Sequence, residues 1–456
     1  MKKTILLLLA LAIYACGPSQ EKVSTSAILV KNIHVVDVVN GTLRKNQQIL
    51  VDSGRIQVIA PEIQGAEHYK NVIDGQNSYA VPGLTEMHAH IPSPPTDEKR
   101  IEETLYLYLA GGVTTIRGML GHPYHLKLRQ RVAKGEVPGP RIVTSSPSLI
   151  GNTVQTPAVA IQKVRQYAAD GYDFLTIHPG IQLEVFDSLA ATANEVGIPF
   201  AGHVPVDVGI RHALESGYAT IDHVDGYLEG LVPESAGVQP GDNGFFGFNF
   251  TTLADTSGIG ALMEMTRKHK VWVVPTQSLF ERWFAPTDAD SLLAQPEMKY
   301  MSKNTLDTWR QVKNQYMDDP SWDAQKWKTF DAIRLELIRR LSTEGHGLLL
   351  GSDAPQLFNV PGFSLQHEIA GMRRAGLSPI EILRMGTIYP ARFFGQEDTW
   401  GSLDAGKAAD ILLLEENPLE SSEALGSPEG VMVRGVWYSR EDLDSRLQEI
   451  ARNAQE

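Results

Sequence analysis

The sequence predicts an α/β chain built on a closed β/α barrel, with a small β-domain contributed by both chain ends. Three observations predict it. Short apolar strand-like runs alternate with helical runs through the middle of the chain. So many such units favour closure over an open sheet. Strand-like runs separated by turn residues occur before the first unit and return after the last. An open doubly wound sheet is the alternative, but no Gly-rich dinucleotide fingerprint follows the first strand.

The N-terminus stands apart from this plan. Lys2 and Lys3 precede the apolar run Ile5 to Ile13, and Tyr14-Ala15-Cys16-Gly17 follows. Charge, a short apolar core and small residues make an export signal, too short for an ordinary membrane span. Cys16 is the only cysteine, so no internal disulfide forms. Leu11 to Cys16 resembles a bacterial lipoprotein signal, with bulky Tyr14 as a departure. That resemblance implies lipidation of Cys16, a lipid anchor to a membrane and a place on the periplasmic or surface side of a bacterial envelope. A plain secretory signal that removes Cys16 is the alternative. Residues 17–26 then form a tether.

Residues 27–81 carry strands at Ala27 to Ile33, Gln48 to Val51 and Ile56 to Ile59, with the turn Asp52 to Arg55. Residues 82–397 hold the barrel units. Strand-like runs there include Val113 to Arg117, Phe174 to Ile177, Thr220 to Asp222, Val271 to Thr276 and Gly347 to Leu350. Helical runs between them include 158–169, 183–196, 210–215, 263–269 and 333–344. An insertion at 226–251, with the aromatic cluster Phe245 to Phe250, would lie over the barrel mouth as a lid or pocket wall, or pack on the barrel. Residues 398–440 return to strands, and 441–456 close the chain as a surface helix.

The whole chain has 456 residues, room for one large and one small domain. Its net charge of -13, without a Lys/Arg block, argues against nonspecific nucleic-acid binding. Assembly into a homo-oligomer stays open.

The chemistry concentrates at strand ends. His88-Ala89-His90 follows a strand-like run and the turn Pro82-Gly83. Alternate residues of an extended segment face the same way, so both imidazoles can close on one divalent metal. His178, His203, His223 and Asp353 each end a later apolar run. The C-terminal strand ends of a β/α barrel converge on one mouth, where such residues meet without local spacing. Asp353 can bind the metal and accept a proton from its water. His223 can orient a carbonyl if the site holds one metal.

At these residues the chain resembles the amidohydrolase superfamily, in its imidazolonepropionase-like and Xaa-Pro dipeptidase-like branch. The matched pieces are Val81 to His90, Gly112 to Arg117, Gly139 to Asn152, Gly171 to Gly180, Ala201 to His203, Ile221 to His223, Leu350 to Asp353 and Gly401 to Asp410. The resemblance implies a TIM-like (β/α)8 barrel and a β-sandwich made from both chain ends. It implies metal ligands at His88, His90, His203 and Asp353, with His223 added if a second ion is present, and Asp353 as general base. Thr176 stands where members with two metals carry a bridging carboxylated lysine. One ion, zinc by preference, is therefore expected. Gly118 replaces a usual acidic residue, and Glu86 a common aspartate.

The reaction expected is hydrolysis of a carbon–nitrogen bond in a short peptide, amide or cyclic amide, with dipeptidase action included. Arg117, His122, Tyr124 and His178 are the candidates for substrate contact. The alternatives are an ester or lactone hydrolase of the same fold and an inactive exported binding lipoprotein.

Overall fold

A computed structural model describes residues 27–455. The signal, Cys16 and the 17–26 tether lie outside the described residues, as does residue 456. Four strands open the chain: β1 (Ile28–Asp37), β2 (Thr42–Asp52), β3 (Arg55–Ala60) and β4 (Asn71–Pro82). Seven short strands follow: β5 (Leu84–Ala89), β6 (Val113–Gly118), β7 (Arg141–Thr144), β8 (Leu175–Ile177), β9 (Phe200–Gly202), β10 (Thr220–Asp222) and β11 (Trp272–Val274). The chain ends with β12 (Ile411–Leu414), β13 (Gly430–Val433), β14 (Val436–Ser439) and the helix Arg440–Asn453. Among the described residues, no helix is long and apolar enough to cross a membrane.

Both chain ends enter one seven-stranded sheet, ordered β14-β13-β12-β4-β1-β2-β3. β4, twelve residues long, joins the two ends by pairing in parallel with β1 on one edge and antiparallel with β12 on the other. Register shifts interrupt the β1 pairings, and the sheet has its own core of Ile33, Val35, Ile49, Val51, Ile56 and Ile411.

The middle of the chain forms two parallel ladders, β5-β6-β7 and β11-β10-β9-β8. They are not one uninterrupted eight-stranded ladder. Strands of three or four residues make few ladder bonds, and single bridges carry the connection instead. Ser145 bridges Phe174 between β7 and β8, and Val273 bridges Leu348 beyond β11. Met87 then donates its N–H to Leu350 O (2.8 Å), and Ala89 bridges Ala354. Their side chains are almost continuously buried, as parallel strands covered by helices require. The helices between them bury apolar faces on these strands; Leu183–Val196 uses Val185, Phe186, Leu189, Ala190 and Ala193.

The 226–251 segment consists of short 3-10 turns, Glu229–Leu231, Glu234–Ala236, Pro240–Asp242 and the start of Phe245–Leu253. Its aromatics divide their tasks. Phe248 and Phe250 are buried in the core, whereas Phe245 and Phe246 face a cavity.

Candidate active site

The cavity opens where β5, β8, β9 and β10 end, and holds about 740 Å3. At its floor His88, His90 and Asp353 offer ligand atoms that all lie within 4.8 Å of one another. Asp353 Oδ1 stands 2.5 Å from His90 Nε2 and 3.5 Å from His88 Nε2. The two-residue spacing of β5 puts both rings on one side. Asp353 arrives from the segment after Leu348 to Leu350, at φ 63°. That close approach needs Gly351: a Cβ there would meet His88 N at 2.8 Å and Glu86 Oε1 at 3.1 Å.

Behind the floor lies a second layer. His88 Nδ1 is 2.9 Å from Asp222 Oδ2. Arg117 donates to both oxygens of Asp222 at 3.0 Å, to Met87 O at 2.6 Å and to Thr220 Oγ1 at 2.9 Å. Burial works against the Asp222 carboxylate, but Arg117 and the His88 bond outweigh it and hold its pKa far below the usual range. Glu86 braces the two ligand segments. Its Oε1 accepts the N–H of His88 (3.0 Å) and of Ser352 (2.8 Å), and its Oε2 accepts the Ser352 hydroxyl. Burial pushes its pKa up to about 8.

Three further imidazoles surround the floor. The His223 ring lies 4.6 Å from those of His88 and His203, tilted against both, and its Nδ1 is 2.8 Å from Thr276 Oγ1. Burial, then the neighbouring His88, His203 and Arg334, push its pKa well down, so it is neutral. Its φ of 66° turns the ring from the end of β10 into the cavity. His203 gives Nδ1 to Asp225 Oδ2 at 3.0 Å. Burial opposes its protonation, but Asp225 outweighs that and raises its pKa. His178 stands 5.1 Å from His203, ring to ring, with a buried Nδ1 lacking a partner. Burial, then His203, lower its pKa to about 3.

Of the expected metal set, the structure gathers His88, His90 and Asp353 tightly, with His203 and His223 one ring further out. Among the described residues neither joins the group within 4.8 Å. Asp225 and Thr276 hold those two rings back at their Nδ1 atoms. His178 lines the cavity. Arg117, His122 and Tyr124 do not line it. Arg117 is spent beneath the floor. His122 caps the helix Pro123–Ala133 by accepting the Tyr124 N–H, and the Tyr124 hydroxyl bonds Glu98. The supporting Asp222, Asp225, Thr276 and Arg334 were not singled out from the sequence. Asp222 and Asp225 flank His223 in sequence, which is the one signal that marks them.

The model of the amidohydrolase family matches residues 79–438. The chain belongs to the amidohydrolase family. A dihydroorotase of Carboxydothermus hydrogenoformans is 38% identical to this amidohydrolase over 90 residues, 20% of each chain. The match thus spans about a fifth of that relative's length. A solved bottromycin amidohydrolase superposes with a TM-score of 0.71 at 21% identity, covering 94% of this chain and 91% of that one. A solved Xaa-Pro dipeptidase with bound methionine gives 0.64 at 18% identity, covering 91% and 100%. At these identities the structural likeness establishes a shared α/β fold.

Proposed function

We propose that this amidohydrolase cleaves a carbon–nitrogen bond of an amide, cyclic amide or short peptide, with one divalent cation, zinc by preference. In this reading β5 to β11 and the run 348–350 are the eight staves of one barrel. The single observation that carries it is the convergence of His88 Nε2, His90 Nε2 and Asp353 Oδ1 at a cavity floor. The donor chemistry, two imidazoles and a carboxylate, fits a borderline-soft ion, which His88, His90 and Asp353 would hold with His203 as the fourth ligand. Asp222 fixes His88 as the tautomer whose Nε2 is free for the ion.

A divalent cation held there supplies Lewis acidity and a lowered water pKa. The chain's own groups do the rest. Asp353 accepts the proton of the attacking water and returns it to the leaving nitrogen. Neutral His223, when the Thr276 hydroxyl donates to its Nδ1, carries its proton on Nε2 and donates to the substrate's carbonyl oxygen as charge develops. The Phe246 ring lies 5.5 Å from that of His223 and 5.7 Å from that of His203. Export and anchoring through Cys16 belong to the same proposal; incorporation of labelled fatty acid, lost in Cys16→Ala, checks it.

The test is turnover across dipeptide, cyclic-amide and ester substrates by the zinc-loaded protein. Asp353→Asn is expected to lower kcat at least about 100-fold. Activity unchanged by that substitution overturns the base role. Turnover confined to esters or lactones overturns the carbon–nitrogen reading.

A further inference from the structure

Resting on that reading of the reaction, we propose that the substrate is uncharged and seats an apolar, preferably aromatic, group against Phe245, Phe246 and Trp283. Two independent observations point there.

The first is the charge inventory. Among the described residues that line the cavity there is no lysine and no arginine, whereas Asp225 and Asp353 are both present. The buried cations nearby are consumed elsewhere. Arg117 gives its donors to Met87 O, Thr220 and Asp222. Arg334 gives its donors to His223 O (2.7 Å), Pro275 O (3.0 Å) and Gln277 Oε1 (3.1 Å). Lys313 holds Trp283 O and Ala285 O from the far side of the wall. Away from the cation that the floor would hold, a substrate carboxylate would lose water and find no lysine or arginine along the cavity wall to pair with.

The second observation is the wall. Leu120, Val206 and Phe245 are 42%, 36% and 46% exposed, and all three line this one cavity. Large apolar side chains left open together mark a binding surface. Phe245 meets Trp283 edge-on at 4.6 Å and Phe246 at 5.1 Å, a rigid aromatic corner. Phe246 in turn contacts His203 and His223, so a ring seated in the corner places its attached amide beside the floor.

The matched pair acetanilide and 4-acetamidobenzoate, which differ by one carboxylate, tests this. Binding to the zinc-loaded protein is measured by calorimetry and hydrolysis by kcat/KM. The neutral member is expected to bind at least about tenfold more tightly and, if cleaved, to show the higher kcat/KM. Phe246→Ala is expected to weaken acetanilide at least about tenfold, through KM, while acetamide changes less than about threefold. Trp283→Leu gives the same direction should Phe246→Ala fold poorly. Equal or tighter binding of the carboxylate overturns the proposal. Preferred binding of acetanilide without hydrolysis of any amide leaves the binding claim standing and sinks the carbon–nitrogen reading instead.

Discussion

His88 and Asp222 meet at 2.9 Å between the ends of β5 and β10, Nδ1 to Oδ2, and Arg117 donates to the same carboxylate. Since Arg117 keeps Asp222 ionised, the carboxylate only accepts, and the proton belongs on His88 Nδ1. The metal-facing nitrogen is thereby decided from beneath the floor.

Asp222→Asn removes that decision. Zinc affinity is expected to fall about 10- to 100-fold. Stability is expected to fall by up to about 3–5 kcal/mol, because Arg117 loses its counter-charge while buried. The Asp222 pKa is depressed in the folded state, so its contribution is full above the unfolded value of about 4 and is lost as pH falls below it. The variant's acid limb should therefore be shallower. Chelator competition and denaturant titration at several pH values measure both effects; unchanged zinc affinity removes the positioning role.

Thr276 governs the tautomer of His223 through the 2.8 Å contact at Nδ1. Thr276→Val keeps the shape and removes the hydroxyl. The expected result is a kcat loss of about tenfold or more with KM changed less than about threefold, as for an interaction that strengthens only at the transition state. A shift confined to KM would place His223 in ground-state binding instead.

How legible this was follows from where each signal lives. His88 and His90 were readable because their spacing is local and extended backbone gives it one meaning. His178, His203, His223 and Asp353 were readable only as ends of apolar runs; that they share a mouth depends on the parallel fold, which the strand–helix rhythm carries. Arg117 shows the limit. Its sequence context marks it as interesting, but only three dimensions reveal that Asp222, a hundred residues away, absorbs its charge. His122 similarly looks like a substrate contact and serves a helix start. That strands from both chain ends join in one small β-domain was legible, but their order was not. Pairing of β4 with both β1 and β12 is a long-range choice that no local pattern encodes.

Glu368 gives a pH test away from the metal ligands. It is wholly buried, its Oε2 accepts the Ser278 N–H at 2.8 Å, and its Oε1 has no partner. Burial, only partly offset by backbone N–H groups, pushes its pKa up to about 8. A raised carboxyl keeps its proton when folded, so its stabilising contribution is full below the unfolded value of about 4.3 and lost as pH rises through about 8. Glu368→Gln stays neutral throughout and still accepts the N–H. The variant is expected to gain on the parent between pH 4.5 and 8.5, by on the order of a few kcal/mol. Parallel melting profiles across that range would show that Glu368 does not titrate as described.

Metal stoichiometry tests the consequence of Thr176. Its side chain is fully buried in β8, and its hydroxyl has no hydrogen-bond partner. A neutral hydroxyl there cannot bridge two cations. His178, next along the chain but one, brings an imidazole and no negative charge. Among the described residues the one tight donor group is His88, His90 and Asp353, which supplies a single carboxylate. Two dications at this floor would repel each other with little to offset them. Elemental analysis after dialysis against zinc should therefore return about one ion per chain. Removing that ion by chelation should lower the melting temperature reversibly, since a ligand at a hundred times its Kd adds about 2.7 kcal/mol to the folded state. Two tightly held ions per chain would mean that another carboxylate, Asp225 being nearest to His203, turns inward to take the bridging place.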